Sequence, residues 1–193
     1  MKENKFRVKS WMVIVAIVVV LILWFFGTYN GLISLSSKVD AQWANVESQY
    51  QRRIDLIPNL VSTVKGYAKH EENIFTEITE LRSRWQDAKS SNNINAEIQT
   101  INQVEGALSR LLVLVEAYPD LKASQNFLSL QDELAGTENR IAVERMRYNE
   151  AVRGYNIKIK RIPAAIVANI LNFESRPYFE AEEGAEQAPQ VNF

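Results

Sequence analysis

The 193-residue chain carries a formal net charge of −1, contains no Cys and one His, and has only seven Gly and five Pro. Without Cys there is no disulfide framework and no thiol chemistry. With acidic residues outnumbering basic ones beyond the first few dozen positions, no basic stripe supplies phosphate contacts, so no nucleic-acid partner is expected. Scarce Gly and Pro and few alternating β-branched runs point to an all-α protein.

The basic residues Lys2, Lys5, Arg7 and Lys9 precede an uncharged apolar block, Trp11 to Tyr29. As a helix, that block covers roughly 28 Å, enough to cross a hydrocarbon core. Trp11 at one end, with Trp24 and Tyr29 at the other, suits aromatic side chains at the two interfaces. A cleaved signal peptide would end in small residues, whereas this block ends in Trp24, Phe25 and Phe26, so an uncleaved signal anchor is the expectation. Lys38 is the sole basic residue in the stretch that follows. Positive charge retained on the cytoplasmic side then leaves the N-terminus inside and the remainder outside the membrane, with the opposite topology as the alternative.

Past the anchor, Leu32, Val39 and Val46, interleaved with Ser36, Trp43, Tyr50 and Ile57, lay one apolar seam along a long helix of coiled-coil type. Pro58 interrupts the pattern, and its missing N–H and its ring predict a kink or a break there. A second helix is marked by Ile74, Ile78, Leu81, Trp85 and Ala88, and closes in the polar run Ser90 to Asn93. Ile94, Ile98, Ile101, Val104, Leu108, Leu111, Val115 and Tyr118 define a third, closed by Pro119 and Asp120. The fourth, with Ser124 or Asn126 as cap, follows Phe127, Leu134, Ile141, Tyr148, Val152, Tyr155 and Ile159 to about Arg161. Pro163 ends it or opens the next element. The pattern predicts an N-terminal transmembrane helix followed by an elongated antiparallel bundle of three to four long helices. In segments, residues 1–10 are a cytoplasmic basic tail, 11–29 the anchor, 30–173 the bundle and 174–193 an acidic tail whose last dozen residues are expected to be disordered.

Several of these stretches resemble the LemA family of bacterial membrane proteins. They are Arg52 to Val61, Val64 to Glu71, Val115 to Ala123, Gly136 to Ala142, Arg147 to Asn149 and Arg176 to Ala181. The resemblance implies one N-terminal membrane helix and a helical bundle, and it supplies no catalytic residue to carry over.

No enzyme site emerges from the chain. His70 is alone, and the residue three before it is Tyr67, so the Glu-x-x-His pairing of a bundle metal site is missing. No metal or cofactor is expected. The informative feature is charge on apolar seams: Arg53 on the first helix, Glu138 and Arg145 on the fourth. A lone charge inside a bundle is costly, so an internal pair such as Arg53 with Glu138 is expected, fixing helix register, with a bound anion near Arg53 and Arg145 as the alternative. Asn59, Asn139, Asn149 and Asn156 either join that network or face solvent, the latter for most. Tyr67, Tyr118, Tyr148 and Tyr155 read as core residues with a wet hydroxyl.

In Ala164 to Phe173, Ile166, Val167, Ile170 and Leu171 share a face that either packs across the bundle end or meets a membrane interface or a second subunit. Function is then expected to be non-enzymatic: a self-associating scaffold or interaction module of the cell envelope, with a sensory or small-ligand domain as the alternative. The bilayer, further copies of the chain and other envelope proteins are the expected partners.

Overall fold

The computed structural model describes residues 10–180 apart from Lys69 and Asn92. The basic residues at positions 2–9 and the last dozen residues of the acidic tail lie outside this range. Six helices make up the described chain: α1 (Ser10–Lys65), α2 (Glu72–Ser90), α3 (Ile94–Val115), α4 (Pro119–Lys122), α5 (Gln125–Lys160) and α6 (Ala164–Ile170). No strand occurs among the described residues. The protein is all-α, with a long apolar N-terminal helix followed by a helical bundle.

Two compact units divide the chain, one made of Met1–Asp40 with Ala151–Arg176, the other of Ala41–Glu150 with Pro177–Phe193. In the first unit, the apolar start of α1 is exposed all round, from Trp11 at 62% to Leu23 at 67%. A helix apolar on every side has no inward face to bury, and this one is long and apolar enough to cross a membrane. Burial begins only at Leu32 and continues at Val39; from α5 come Val152, Tyr155 and Ile159, and from α6 Ala164, Val167 and Ala168. Tyr29 and Phe173 meet edge to face, centroids 6.3 Å apart.

The second unit is a helical bundle formed by the later part of α1, α2, α3 and the earlier part of α5. Along α1 the buried positions Trp43, Val46, Tyr50, Ile54, Ile57, Leu60 and Val64 recur every three or four residues, which presents one continuous stripe to the core. The α2 and α3 stripes bury Phe75, Ile78, Leu81 and Trp85, and Ile101, Val104, Leu108 and Leu111. Asn93 caps α3, its side chain accepting from the Ala96 N–H at 3.1 Å, which satisfies an amide that has no partner within the helix. Pro119 opens α4 at a position where its missing N–H costs nothing, and Leu121 is buried.

The helix passes Pro58 without a break. Proline inside a helix costs on the order of 3 kcal/mol. Ile54, Ile57, Leu60 and Val64 are each at most 2% exposed, and burying each contributes about 1.5–3 kcal/mol. The continuing stripe outweighs the proline, whose ring lies on the exposed side.

Candidate functional site

The charged residues on the seams of α1, α3 and α5 meet in the second unit. Arg53, 9% exposed, reaches Glu138 of α5 by a direct hydrogen-bonded ion pair, and Glu105 of α3 at 3.6 Å. Arg145 of α5 binds the same Glu105 and also donates to the Tyr50 hydroxyl, which in turn donates to Glu105 at 2.8 Å. Two guanidinium groups are thus matched by two carboxylates, and the cluster is close to neutral. Glu105 receives both cations and a phenol. Burial, followed by the charge of Glu105, pushes the Tyr50 hydroxyl well above its usual range and keeps it a donor. For Arg145, burial works against the charge, but the hydrogen bond to Glu105 and the interactions with Tyr50 outweigh it, so the group is held above its usual value.

The cluster is roofed by a segment from the other end of the chain. Phe179, 5% exposed, stacks on Tyr50 with centroids 6.1 Å apart and planes 7° apart, and lies 4.3 Å beneath the Arg145 guanidinium. Asn149 holds this segment with both ends of its amide: Nδ2 donates to the Phe179 carbonyl at 2.9 Å, and Oδ1 accepts from the Phe179 N–H at 2.8 Å. Tyr148 donates to the Pro177 carbonyl, and Asn102 to that of Glu180. The first unit repeats the device, with Asn156 and the backbone of Arg176 exchanging the same two bonds at 2.9 Å. The Arg176 side chain reaches Asp40 at 3.1 Å and Ser36 at 3.3 Å. An amide side chain so used stands in for the neighbouring strand that an extended segment lacks.

A second buried acid sits at the start of α3. Glu97 is 1% exposed. Burial first, then the neighbouring Glu47, pushes it up to about 7, while Lys89 and a hydrogen bond with Trp43 pull the other way. The protonated carboxyl is therefore a substantial part of the native population at neutral pH.

Arg53, Glu138 and Arg145 all fall in one cluster. Pro58 is exposed on an unbroken α1. Trp11 is exposed, Trp24 partly covered, and Tyr29 touches Phe173. The four apolar residues expected on one face of α6 divide: Val167 is buried with Ala164 and Ala168, while Ile166, Ile170 and Leu171 are exposed. Positions 164, 167 and 168 form one helical face, and 166 and 170 another. Tyr67 is 47% exposed and is not a core residue, because α1 has already ended at Lys65.

Among residues singled out by sequence, Glu105, Glu97 and Phe179 were missing. Glu105 lies four residues after Ile101 and three before Leu108, and Glu97 four before Ile101, so both bore the same signal as Glu138, a charge on the apolar spacing. Among the described residues no group of three or more His, Cys, Asp and Glu could hold a metal ion.

The sequence model of the LemA family matches residues 42–193. This chain belongs to the LemA family. It is 28% identical to the magnetosome protein MamQ of Paramagnetospirillum magneticum over 84% of this chain and 68% of the relative. Magnetosome protein MamQ of Magnetospirillum gryphiswaldense is 26% identical over the same shares, and protein LemA of Metamycoplasma hominis 25% identical over 81% of this chain and 71% of that one. Membership and the apolar helix together make this a membrane-associated protein. The family region contains the whole charged cluster and both asparagine clamps. The stretches by which the chain resembles the family hold Arg53, Glu138, Asn149, Arg176 and Phe179, each of which joins one segment of the fold to another.

Proposed function

We propose that the protein is a non-enzymatic, single-pass membrane scaffold: the apolar start of α1 anchors it, the bundle stands on the extracytoplasmic side of the plasma membrane, and copies associate with one another and with other envelope proteins. The observation behind this reading is that α1 is helical without interruption from Ser10 to Lys65, so a single helix supplies both the bilayer span and the first helix of the bundle. Anchoring copies in one plane raises their effective concentration, which favours association of amphipathic helices. A ligand-binding role at Arg53 and Arg145 is less well supported, because Glu105 and Glu138 already neutralise both cations.

The reading is tested by the particle mass of the full-length chain in nanodiscs, against a chain starting at Tyr29. A defined assembly that falls to monomers without the anchor is the expected result. Monomers in both preparations would refute the scaffold.

A further inference from the structure

Several apolar residues of α6 and its flanks are exposed to solvent. Ile162 is 80% exposed, Ile166 53%, Ile170 63% and Leu171 40%. Ile166 and Ile170, four residues apart, lie along one side of α6, and Ile162 sits in the turn that leads into it. The opposite side, with Ala164, Val167 and Ala168, is buried in the first unit. An exposed apolar stripe of this kind marks a contact surface.

Its place in that unit says what the contact is. Phe173 sits against Tyr29, the residue where the apolar span ends. Arg176, three residues further on, reaches Ser36 and Asp40, farther along α1 from the span. Going backwards from Arg176 to Phe173 therefore leads toward the membrane end of α1, and α6 immediately precedes Phe173. The stripe thus leads, three residues after Ile170, into the contact at the end of the span. Directly before it, Lys158, Lys160 and Arg161 are all exposed. Apolar residues flanked by cations, at the level where a helix leaves the bilayer, match the two layers of a membrane interface: acyl chains for the isoleucines, anionic headgroups for the cations.

We propose that α6 lies in the interface of the bilayer that holds the anchor, with Ile162, Ile166, Ile170 and Leu171 inserted among the lipids and Lys158, Lys160 and Arg161 on anionic headgroups. The proposal rests on the reading of α1 as a membrane anchor, and holds for either orientation of the chain. It gives the protein a second membrane contact, from the far end of its sequence.

Because the chain has no Cys, single sites can be labelled cleanly. The full-length protein, carrying an environment-sensitive fluorophore at Ile166→Cys or Ile170→Cys, is reconstituted into vesicles of phosphatidylcholine with or without phosphatidylglycerol, and nitroxide-bearing lipids are added. Val19→Cys in the span and Val143→Cys on the exposed side of α5 are the references. The α6 labels should emit at shorter wavelength than the Val143 label and lose about half their intensity to the nitroxides, as an interfacial depth implies. Phosphatidylglycerol should increase that loss, and joint replacement of Lys158, Lys160 and Arg161 by Gln should abolish the increase. Quenching at Val19 with α6 labels as aqueous as Val143 would overturn the proposal while leaving the anchor in place. No quenching at Val19 would remove the anchor and the proposal with it. A blue shift on α6 without quenching by lipid would place protein, such as a second copy, over the stripe and would equally overturn it.

Discussion

Glu105 is the residue on which the buried charges of the bundle converge. Removing its charge leaves Arg145 and Arg53 short of a partner in a partly buried setting, and breaking such a pair from one side costs on the order of 3 kcal/mol. Glu138 has a side chain 48% exposed, so water compensates Arg53 in part when it is lost. Glu105→Gln should lower the denaturant-derived stability by about 2–3 kcal/mol and Glu138→Gln by about 1 kcal/mol; an unchanged thermal midpoint for Glu138→Gln would sink the idea that the pair fixes register. Glu97 gives a separate pH signature. Its ordinary value is 4.5 and burial beside Glu47 raises it to about 7. Between these values the folded state binds a proton that the unfolded state has released, so stability falls as pH rises from about 4.5 to about 7 and levels off beyond. Glu97→Gln should be more stable than the parent at pH 8, by on the order of 1–3 kcal/mol, and should flatten that slope. An unaltered stability-against-pH curve would show that Glu97 ionises normally. Arg53, Glu138 and Arg145 were legible in the sequence because seam spacing places a residue on a face without regard to its chemistry. Partners across helices were less so, since periodicity fixes which face a residue occupies but not the neighbour it meets.

The long helices could be read from sequence because each has a stripe several turns long, although no break occurs at Pro58 and the third ends at Val115 rather than Tyr118. The short and extended elements could not. The four residues Pro177 to Glu180 have no periodicity to read and sit in an acidic tail, yet they are held by three side chains of the bundle and insert Phe179 into it. Only that phenylalanine, a large apolar residue in polar company, hinted at docking. Truncating it should cost about 3–4 kcal/mol, as for other buried aromatics. Asn149→Ala should cost on the order of 2 kcal/mol by stripping partners from the Phe179 N–H and carbonyl. Both variants should speed hydrogen exchange at residue 179, and unchanged protection there in Asn149→Ala would refute the clamp. Pro58 tests the opposite case, an element continuing through a residue that disfavours it. If the α1 stripe alone carries the helix across it, Pro58→Ala restores the bond to the Ile54 carbonyl and should raise stability by about 1–3 kcal/mol. A loss instead would mean that the packing of α1 depends on the backbone shape that proline imposes.

At the scale of the whole molecule, charge and hydropathy are segregated along the chain, and this carries the expectation for topology. Lys2, Lys5, Arg7 and Lys9 precede the apolar start of α1, whereas the stretch after it holds Lys38 alone before Arg52. Basic residues close to a span resist translocation, while acidic residues have little say, so the later excess of Asp and Glu does not weaken the bias. The absence of Cys permits a direct test in cells. An impermeant maleimide should modify Val143→Cys, exposed on α5, in intact spheroplasts, and should reach Asn4→Cys only after permeabilisation; Asn4 is chosen because replacing it leaves all four flanking cations in place. The reverse pattern would put the bundle in the cytoplasm, and extracytoplasmic partners would then be excluded. Replacing Lys2, Lys5, Arg7 and Lys9 by Gln should turn a fraction of the molecules around and make Asn4→Cys reachable from outside. If orientation is unmoved by that change, the N-terminal cations are not what sets it, and the bundle itself must direct insertion.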